Sequence, residues 1–135
     1  MEKYLIDTDI KVLCITAESF PSGVGEAFQK LVSYIGEGQD RTLYGISYSN
    51  GKGDIIYKAA FEELFPGEAD KGGFETFLIR KGEYTSEILP DWKKDESIIG
   101  RTFQKLLKQP NLDPNGYCLE IYLNEKDVRF LVPLL

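Results

Sequence analysis

The sequence predicts an α+β fold made of a duplicated β-α-β-β unit, and three observations lead to that prediction. Two alternating apolar runs, at residues 117–123 and 128–134, flank a short polar break and predict a β-hairpin. The tetrapeptide Phe-Gln-Lys-Leu occurs at 28–31 and again at 103–106, and the apolar stripes around the two copies coincide. Each half of the chain then gives the order strand, helix, strand, strand. We expect one antiparallel sheet with pseudo-twofold symmetry, two helices on one side and a ligand groove on the other.

The first half, about residues 9–61, begins with a strand and a helix, after an irregular lead-in. Residues 11–17 (KVLCITA) form a nearly continuous β-prone apolar run, which is typical of a central strand. Over 24–35, apolar side chains recur with helical spacing and form one stripe. Gly36 and Gly38 are expected to end this helix.

A hairpin and a linker follow the first helix. Residues 41–49 and 54–61 are β-prone, and the Asn-Gly pair at 50–51 between them is a strong hairpin signal. Residues 62–73 are charged, contain proline and glycine, and show no periodicity. This segment is therefore predicted to be the linker between the halves.

The second half, about residues 74–134, repeats the pattern of the first. We expect a strand at 74–81, an irregular segment at 82–94 and a helix at 95–109 that ends before a proline. The C-terminal hairpin then completes the unit.

The predicted register of the C-terminal hairpin bears directly on function. Closing its loop at Asn124 and Asp127 places Leu123 opposite Val128. One face of the hairpin is then apolar throughout and buried, whereas the other brings a carboxylate, a phenol and a guanidinium together. These side chains are Glu120, Tyr122 and Arg129. A slip of one residue would bury both charged side chains, which favours the predicted register.

Composition excludes several functional classes. The 135 residues, 42% hydrophobic and 28% charged, match a single compact domain spanning 1–135. A net charge of −6 argues against direct binding to nucleic acid. Without a membrane-spanning apolar run or a signal-peptide pattern, a cytoplasmic location is expected. The absence of histidine removes His-dependent nucleophiles and His-ligated zinc, and two cysteines cannot form a thiolate cage, so we expect no cofactor.

The C-terminal residues carry a family resemblance. Residues 116–124 (GYCLEIYLN) resemble the E-x-Y-L-N strand of the GyrI-like (gyrase-inhibitor-like) effector-binding domains, which are the ligand-sensing modules of many AraC-type and MerR-type bacterial regulators. Residues 132–134 (VPL) are similar to the apolar-Pro-apolar segment that ends those domains. Residues 81–84 (KGEY) resemble the Gly-x-Tyr of their second half. The resemblance extends over 11–134.

The resemblance implies a pseudo-twofold pair of β-α-β-β units with a ligand between them. Family members commonly bind amphipathic, often cationic compounds, using aromatic residues and a carboxylate. Stand-alone members bind drugs, modulate a protein partner or, in a few cases, hydrolyse cyclopropane-containing toxins. The chain shows no helix-turn-helix segment, so a role in transcription regulation would need a separate partner. Arg129 stands where many members have glutamate, and this favours neutral or anionic ligands.

We therefore expect a module that binds an amphipathic aromatic small molecule. Burial of the ligand against aromatic rings would supply affinity, and charged side chains would orient it. The expected ligand-binding residues are Glu120, Tyr122, Arg129, Trp92, Tyr44, Tyr48 and Tyr57. Structural roles are the alternatives: a cross-strand ion pair between Glu120 and Arg129, a helix-to-sheet plug for Trp92, and packing for any single tyrosine.

Two other functions are compatible with the sequence. In a hydrolase of reactive small molecules, Glu120 would act as a general base on water and Tyr122 as a proton donor. Burial would raise the pKa of that carboxyl, whereas Arg129 nearby would lower it. Alternatively, an exposed sheet face would bind a protein partner.

Overall fold

The computed structural model of the protein describes residues 2–20, 22–35, 41–94, 97–113, 116–124 and 126–135. Within them lie eight β-strands and three α-helices. In chain order these are β1 Glu2–Ile6, β2 Ile10–Thr16, α1 Val24–Ile35, β3 Leu43–Ser49, β4 Ile55–Glu62, α2 Glu68–Gly72, β5 Glu75–Ile79, β6 Gly82–Leu89, a 3-10 helix Trp92–Lys94, α3 Ser97–Leu106, β7 Cys118–Tyr122 and β8 Val128–Pro133. No helix in this part of the chain is long and apolar enough to cross a membrane.

All eight strands belong to one antiparallel sheet, in the order β1-β6-β8-β7-β3-β4-β2-β5. The predicted α+β class and antiparallel sheet are therefore confirmed. The helix predicted at 24–35 and the hairpin between 41 and 61 are also confirmed. The glycines expected to end that helix, at 36 and 38, lie outside the described residues.

Three of these elements were not predicted. The lead-in contains β1, the segment 82–94 contains β6, and the linker contains α2. Strand β6 carries polar residues such as Glu83, Thr85 and Glu87, so it lacks an apolar pattern. Its backbone nevertheless pairs with β1 on one side and β8 on the other. The order β-β-α-β-β therefore occurs twice along the chain, with α2 between the two occurrences.

Both main helices cover the same face of the sheet, as predicted. Helix α1 buries Leu31 against Leu13 and Phe61 of strands β2 and β4. Helix α3 buries Leu106 against Phe130 and other side chains of β8. Register pairing places these strand residues on one face, because residues directly opposite each other in a ladder point the same way.

The opposite face is concave because the sheet curls. The ring of Phe77 on edge strand β5 lies 5.2 Å from the ring of Tyr117, which precedes β7. Three strands separate β5 from β7 in the sheet, so this contact requires strong curvature.

Buried side chains from every strand fill the concave face. They are Ile6, Val12, Cys14, Tyr44, Ile46, Ala60, Ile79, Tyr84, Tyr117, Leu119 and Leu131. The prediction of a ligand groove on the face away from the helices is wrong. Curvature turns that face into an apolar core.

The C-terminal hairpin is present, but its predicted register is wrong by one residue. Asn124 Oδ1 accepts hydrogen bonds from the backbone N–H groups of Lys126 and Asp127, at 2.8 and 3.0 Å. With the loop held in this way, the N–H of Leu123 donates to the carbonyl of Asp127 at 3.1 Å. The loop therefore closes one residue earlier than predicted on its N-terminal side.

This shift separates the two charged side chains of the hairpin. Glu120 lies opposite Phe130, and Arg129 lies opposite Ile121. Because neighbouring residues of a strand point to opposite faces, Glu120 faces the helices and Arg129 faces the concave core.

Candidate functional site

A buried carboxylate lies on the helix-covered face, near the middle of the sheet. Glu120, in β7, pairs with Gly45 of β3 on one side and Phe130 of β8 on the other. Its exposed fraction is only 7%. A buried carboxylate requires hydrogen bonds or an ion pair, so the groups around it decide what the site can do.

Two tyrosine hydroxyls donate to this carboxylate. Tyr57 Oη donates to Glu120 Oε1 at 2.8 Å, and Tyr122 Oη donates to the same oxygen at 2.6 Å. The two hydroxyl oxygens are 3.4 Å apart. Oε2 receives no hydrogen bond from the described residues. We call Glu120, Tyr57 and Tyr122 the carboxylate cluster.

Gly45 makes room for the carboxylate cluster. A Cβ atom at this position would lie 2.5 Å from Glu120 Oε1 and closer still to Tyr57 Oη. Any side chain here would push the hydroxyl and the carboxylate apart. The glycine is therefore required by close approach and not by its backbone conformation.

Aromatic rings surround the carboxylate cluster. Phe20, in the loop before α1, stacks on Tyr57 with ring centroids 5.8 Å apart. Phe28 of α1 contacts Tyr57 and Tyr122 edge-on, at 6.1 and 5.4 Å. Trp92 approaches Tyr122 at 6.2 Å. Phe20 is 46% exposed, so the cluster reaches solvent-accessible aromatic surface on this side.

Burial controls the protonation of the carboxylate cluster. It raises the pKa of Glu120 above the ordinary value of 4.5, and the hydrogen bonds from Tyr122 and Tyr57 only partly oppose it. Burial also raises the pKa of Tyr57 and of Tyr122, and the adjacent carboxylate reinforces the effect. Both phenols therefore remain protonated donors.

The structure brings together four of the seven residues predicted to bind ligand. Glu120, Tyr122, Tyr57 and Trp92 lie on the helix-covered face and are linked by the contacts described above. Tyr44 is instead part of the concave core, and Tyr48 packs there against Phe77.

Arg129 also lies away from the carboxylate cluster. Its Nη1 donates to Glu2 Oε1 at 2.6 Å and to Ser86 Oγ at 2.9 Å. Its guanidinium carbon lies 4.4 Å from the centre of the Tyr4 ring. The suggestion that Arg129 pairs with Glu120 is wrong. The reason for favouring neutral or anionic ligands therefore disappears.

Sequence analysis missed Phe20, Phe28 and Gly45. Phe28 belongs to the apolar stripe of α1, which pointed only to packing, and Phe20 lies in a loop that shows no pattern. Gly45 had a usable signal, since an isolated glycine inside a β-prone run indicates a close approach by another group.

A second buried carboxylate, Glu68, has a structural role. Glu68 of α2 accepts hydrogen bonds from Arg41 Nη1 at 2.9 Å and from the Leu64 N–H at 3.0 Å. Burial raises the pKa of Glu68, but these hydrogen bonds and the Arg41 charge outweigh it, so the pKa lies below 4.5. Among the described residues, no group of three side chains of metal-ligating type lies together.

Comparison with solved structures shows a fold shared at low sequence identity. SAV2435, solved with tetraphenylphosphonium bound, aligns with a TM-score of 0.62 and 14% identity over 100% of this chain and 94% of its own. A hydrolase from Listeria innocua aligns with a TM-score of 0.62 and 13% identity over 99% and 90%. A Staphylococcus aureus MU50 protein, provisionally assigned to bacterial transcription regulation, gives 0.60 and 12% over 99% and 98%.

No protein-family profile matches the sequence, and no curated protein matches it significantly. The shared fold is consistent with that of the GyrI-like domains. At these identities the likeness concerns the fold alone.

Proposed function

We propose that the protein binds amphipathic aromatic small molecules on its helix-covered face, with a positively charged group of the ligand against Glu120. One observation carries the proposal: a buried carboxylate is held by two tyrosines and paired with no Lys or Arg of the described chain. A buried carboxylate without a cationic partner is costly, and a bound cation would supply the missing charge.

The aromatic rings suit the same ligand class. Phe20, Phe28, Trp92 and the two tyrosines present flat apolar surface, which favours aromatic ligands through burial. The faces of such rings also attract cations, by about 0.5–2 kcal/mol each. A cation carrying aromatic groups therefore uses both the carboxylate and the rings.

We also propose that the chain is a GyrI-like domain whose halves arose by duplication. The edge strands β1 and β5 both have the pattern Glu-x-aromatic-Leu-Ile, at 2–6 and 75–79. If each of β1–β4 is exchanged with its counterpart among β5–β8, the strand order is the same when it is read from the opposite edge of the sheet. Two salt bridges also correspond, because Lys58 of β4 reaches Glu75 at 3.4 Å and Arg129 of β8 reaches Glu2 at 2.6 Å. Each joins the last strand of one half to the first strand of the other.

A regulatory role would pass through a protein partner, whose affinity would change when ligand binds. The hydrolase alternative would use the same carboxylate, with Glu120 activating water and Tyr122 donating a proton. Turnover of a reactive electrophile that is lost in Glu120→Gln would favour hydrolysis over binding alone.

The test is a titration with ligands of similar aromatic area and different charge. Tetraphenylphosphonium is the cation, triphenylphosphine oxide the neutral compound and tetraphenylborate the anion. Trp92 is the only tryptophan, and its ring contacts Tyr122, so intrinsic fluorescence reports binding at the cluster. We expect the cation to bind most tightly.

Two glutamine variants connect binding to the site. Glu120→Gln should weaken cation binding by about tenfold or more, which corresponds to about 1.4 kcal/mol. Glu75→Gln removes a carboxylate on the concave side, which bonds Thr16 and Lys58, and should leave binding unchanged. Equal affinity for the borate, or wild-type affinity in Glu120→Gln, would contradict the proposal.

A further inference from the structure

We propose that the ligand binds by cation-for-proton exchange, in which a proton on Oε2 of Glu120 is released to solvent as a monovalent cation takes its place. This inference rests on the proposed function and specifies how the site changes charge. The consequence is that affinity depends on pH in a predictable direction.

The hydrogen bonds identify the oxygen that carries the proton. Oε1 of Glu120 already accepts two hydroxyl donors, from Tyr57 and Tyr122. Each carboxyl oxygen has two lone-pair positions, so a proton on Oε1 would displace one of these two donors. Oε2 receives no donor from the described residues, so it is free to hold the proton. The tyrosines therefore fix the orientation of the acid and leave the exchanging oxygen open.

Among the described residues, no Lys or Arg side chain pairs with Glu120 to balance an ionised carboxylate. Burial raises the pKa of Glu120, and only the neutral hydroxyls of Tyr122 and Tyr57 oppose it. A neutral carboxylic acid avoids most of the desolvation cost that an isolated buried charge carries. In the absence of ligand, burial therefore favours the protonated acid.

Among the described residues around Glu120, no other group is suited to the exchange. Strand β3 contributes Gly45 and Ser47, α1 contributes Phe28, and β8 contributes Phe130, none of which titrates. The titratable groups facing Glu120 are Tyr57 of β4 and Tyr122 and Cys118 of β7. Burial raises the pKa of both phenols, and it raises the pKa of the Cys118 thiol to about 11.

One pair of opposite charges lies farther along the same face. Glu87 of β6 accepts a hydrogen bond from Lys105 Nζ of α3 at 2.8 Å. These opposite charges largely cancel at the distance of the cluster. The proton that responds to a bound cation is therefore the one on Glu120.

The direction of the pH dependence follows from linkage. A cation beside Oε2 stabilises the ionised carboxylate and lowers its pKa in the complex. Affinity for the cation should then rise about tenfold per pH unit between the pKa in the complex and the higher pKa in the free protein. Above the free-protein pKa the affinity should level off. A neutral ligand has no such preference for the ionised site.

Calorimetry measures the released proton directly. Tetraphenylphosphonium is titrated into the protein in two buffers with different ionisation enthalpies, over the pH range in which the protein stays folded. We expect a buffer-dependent heat, with proton release that approaches one per ligand as the pH is lowered. Triphenylphosphine oxide should give no proton release. Glu120→Gln should bind the phosphonium more weakly, with no buffer dependence.

The outcomes separate this inference from the function on which it rests. If tetraphenylphosphonium binds in a Glu120-dependent way but releases no proton at any pH, the exchange is refuted and the binding function stands. If no compound of the charge panel binds, the proposed function fails. Proton release that persists in Glu120→Gln would also overturn the exchange, because the proton would come from another group.

Discussion

Replacing Tyr57 with phenylalanine tests whether the carboxylate cluster holds a charge. The variant keeps the ring, which is 3% exposed, and removes the hydroxyl that donates to Glu120 at 2.8 Å. Tyr122 then remains as the donor, at 2.6 Å. A hydrogen bond to a charged group contributes about 1.5–3 kcal/mol, and one to a neutral group about 0.5–1.5 kcal/mol. Tyr57→Phe should therefore cost about 2 kcal/mol when Glu120 is ionised and about 1 kcal/mol when it is protonated.

Urea denaturation at the lowest and the highest pH at which the protein stays folded compares the two costs. Tyr48→Phe is the matched control, because Tyr48 packs on the concave side and shares no contact with the cluster. The free energy of unfolding of Tyr57→Phe should fall further below wild type at the higher pH, whereas that of Tyr48→Phe should change little. An equal cost for Tyr57→Phe at both values would refute the view that its hydroxyl stabilises a carboxylate.

Three further variants test how the carboxylate cluster and the buried Glu68 affect the stability of the fold. Glu120→Gln should gain stability relative to wild type as the pH rises above 4.5. The pKa of Glu120 is higher in the folded state, so the wild type loses stability as the pH rises through that range. Thermal unfolding measured across pH checks this. Gly45→Ala should cost about 1–3 kcal/mol by overpacking in urea denaturation, whereas Gly25→Ala, whose Cβ would meet nothing within 4 Å, should not destabilise. Glu68→Gln should cost about 3 kcal/mol in the same assay by leaving Arg41 unpaired, and the cost should shrink as the pH falls below 4.5.

Local sequence patterns predicted the helix α1 and the hairpin of β3 and β4, because both depend on residues that are close together in the chain. The stripe over 24–35 gave α1 with correct bounds, and Asn-Gly at 50–51 gave the first hairpin. Strand β6 was missed because its sequence has no apolar pattern. It forms because its backbone pairs with β1 and β8, which are distant in sequence. Strand β1 had an unused signal, since its Glu-x-aromatic-Leu-Ile pattern recurs in the predicted strand β5.

The sequence pointed to the three residues of the carboxylate cluster, but not to the geometry that joins them. The argument that a one-residue slip would bury Glu120 was correct, and the slip occurs. Burial is tolerated because Tyr57, more than sixty positions away in the chain, supplies a hydroxyl to the carboxylate. A pattern of apolar and polar residues cannot reveal such a partner. Placing it requires the order of the strands and the register of each pair.

The same order explains why the site holds a single carboxylate. Gly45 and Glu120 lie directly opposite each other on the two central strands, and the sequence offset that aligns the helical tetrapeptides also aligns these two residues. In a symmetric chain both positions would carry a carboxylate, with Cβ atoms about 4.5–5.5 Å apart, and the two charges would repel. Glycine at one position removes that repulsion and admits the Tyr57 hydroxyl. The asymmetry leaves one carboxylate oxygen without a donor among the described residues, in keeping with the proposed binding of one positive charge.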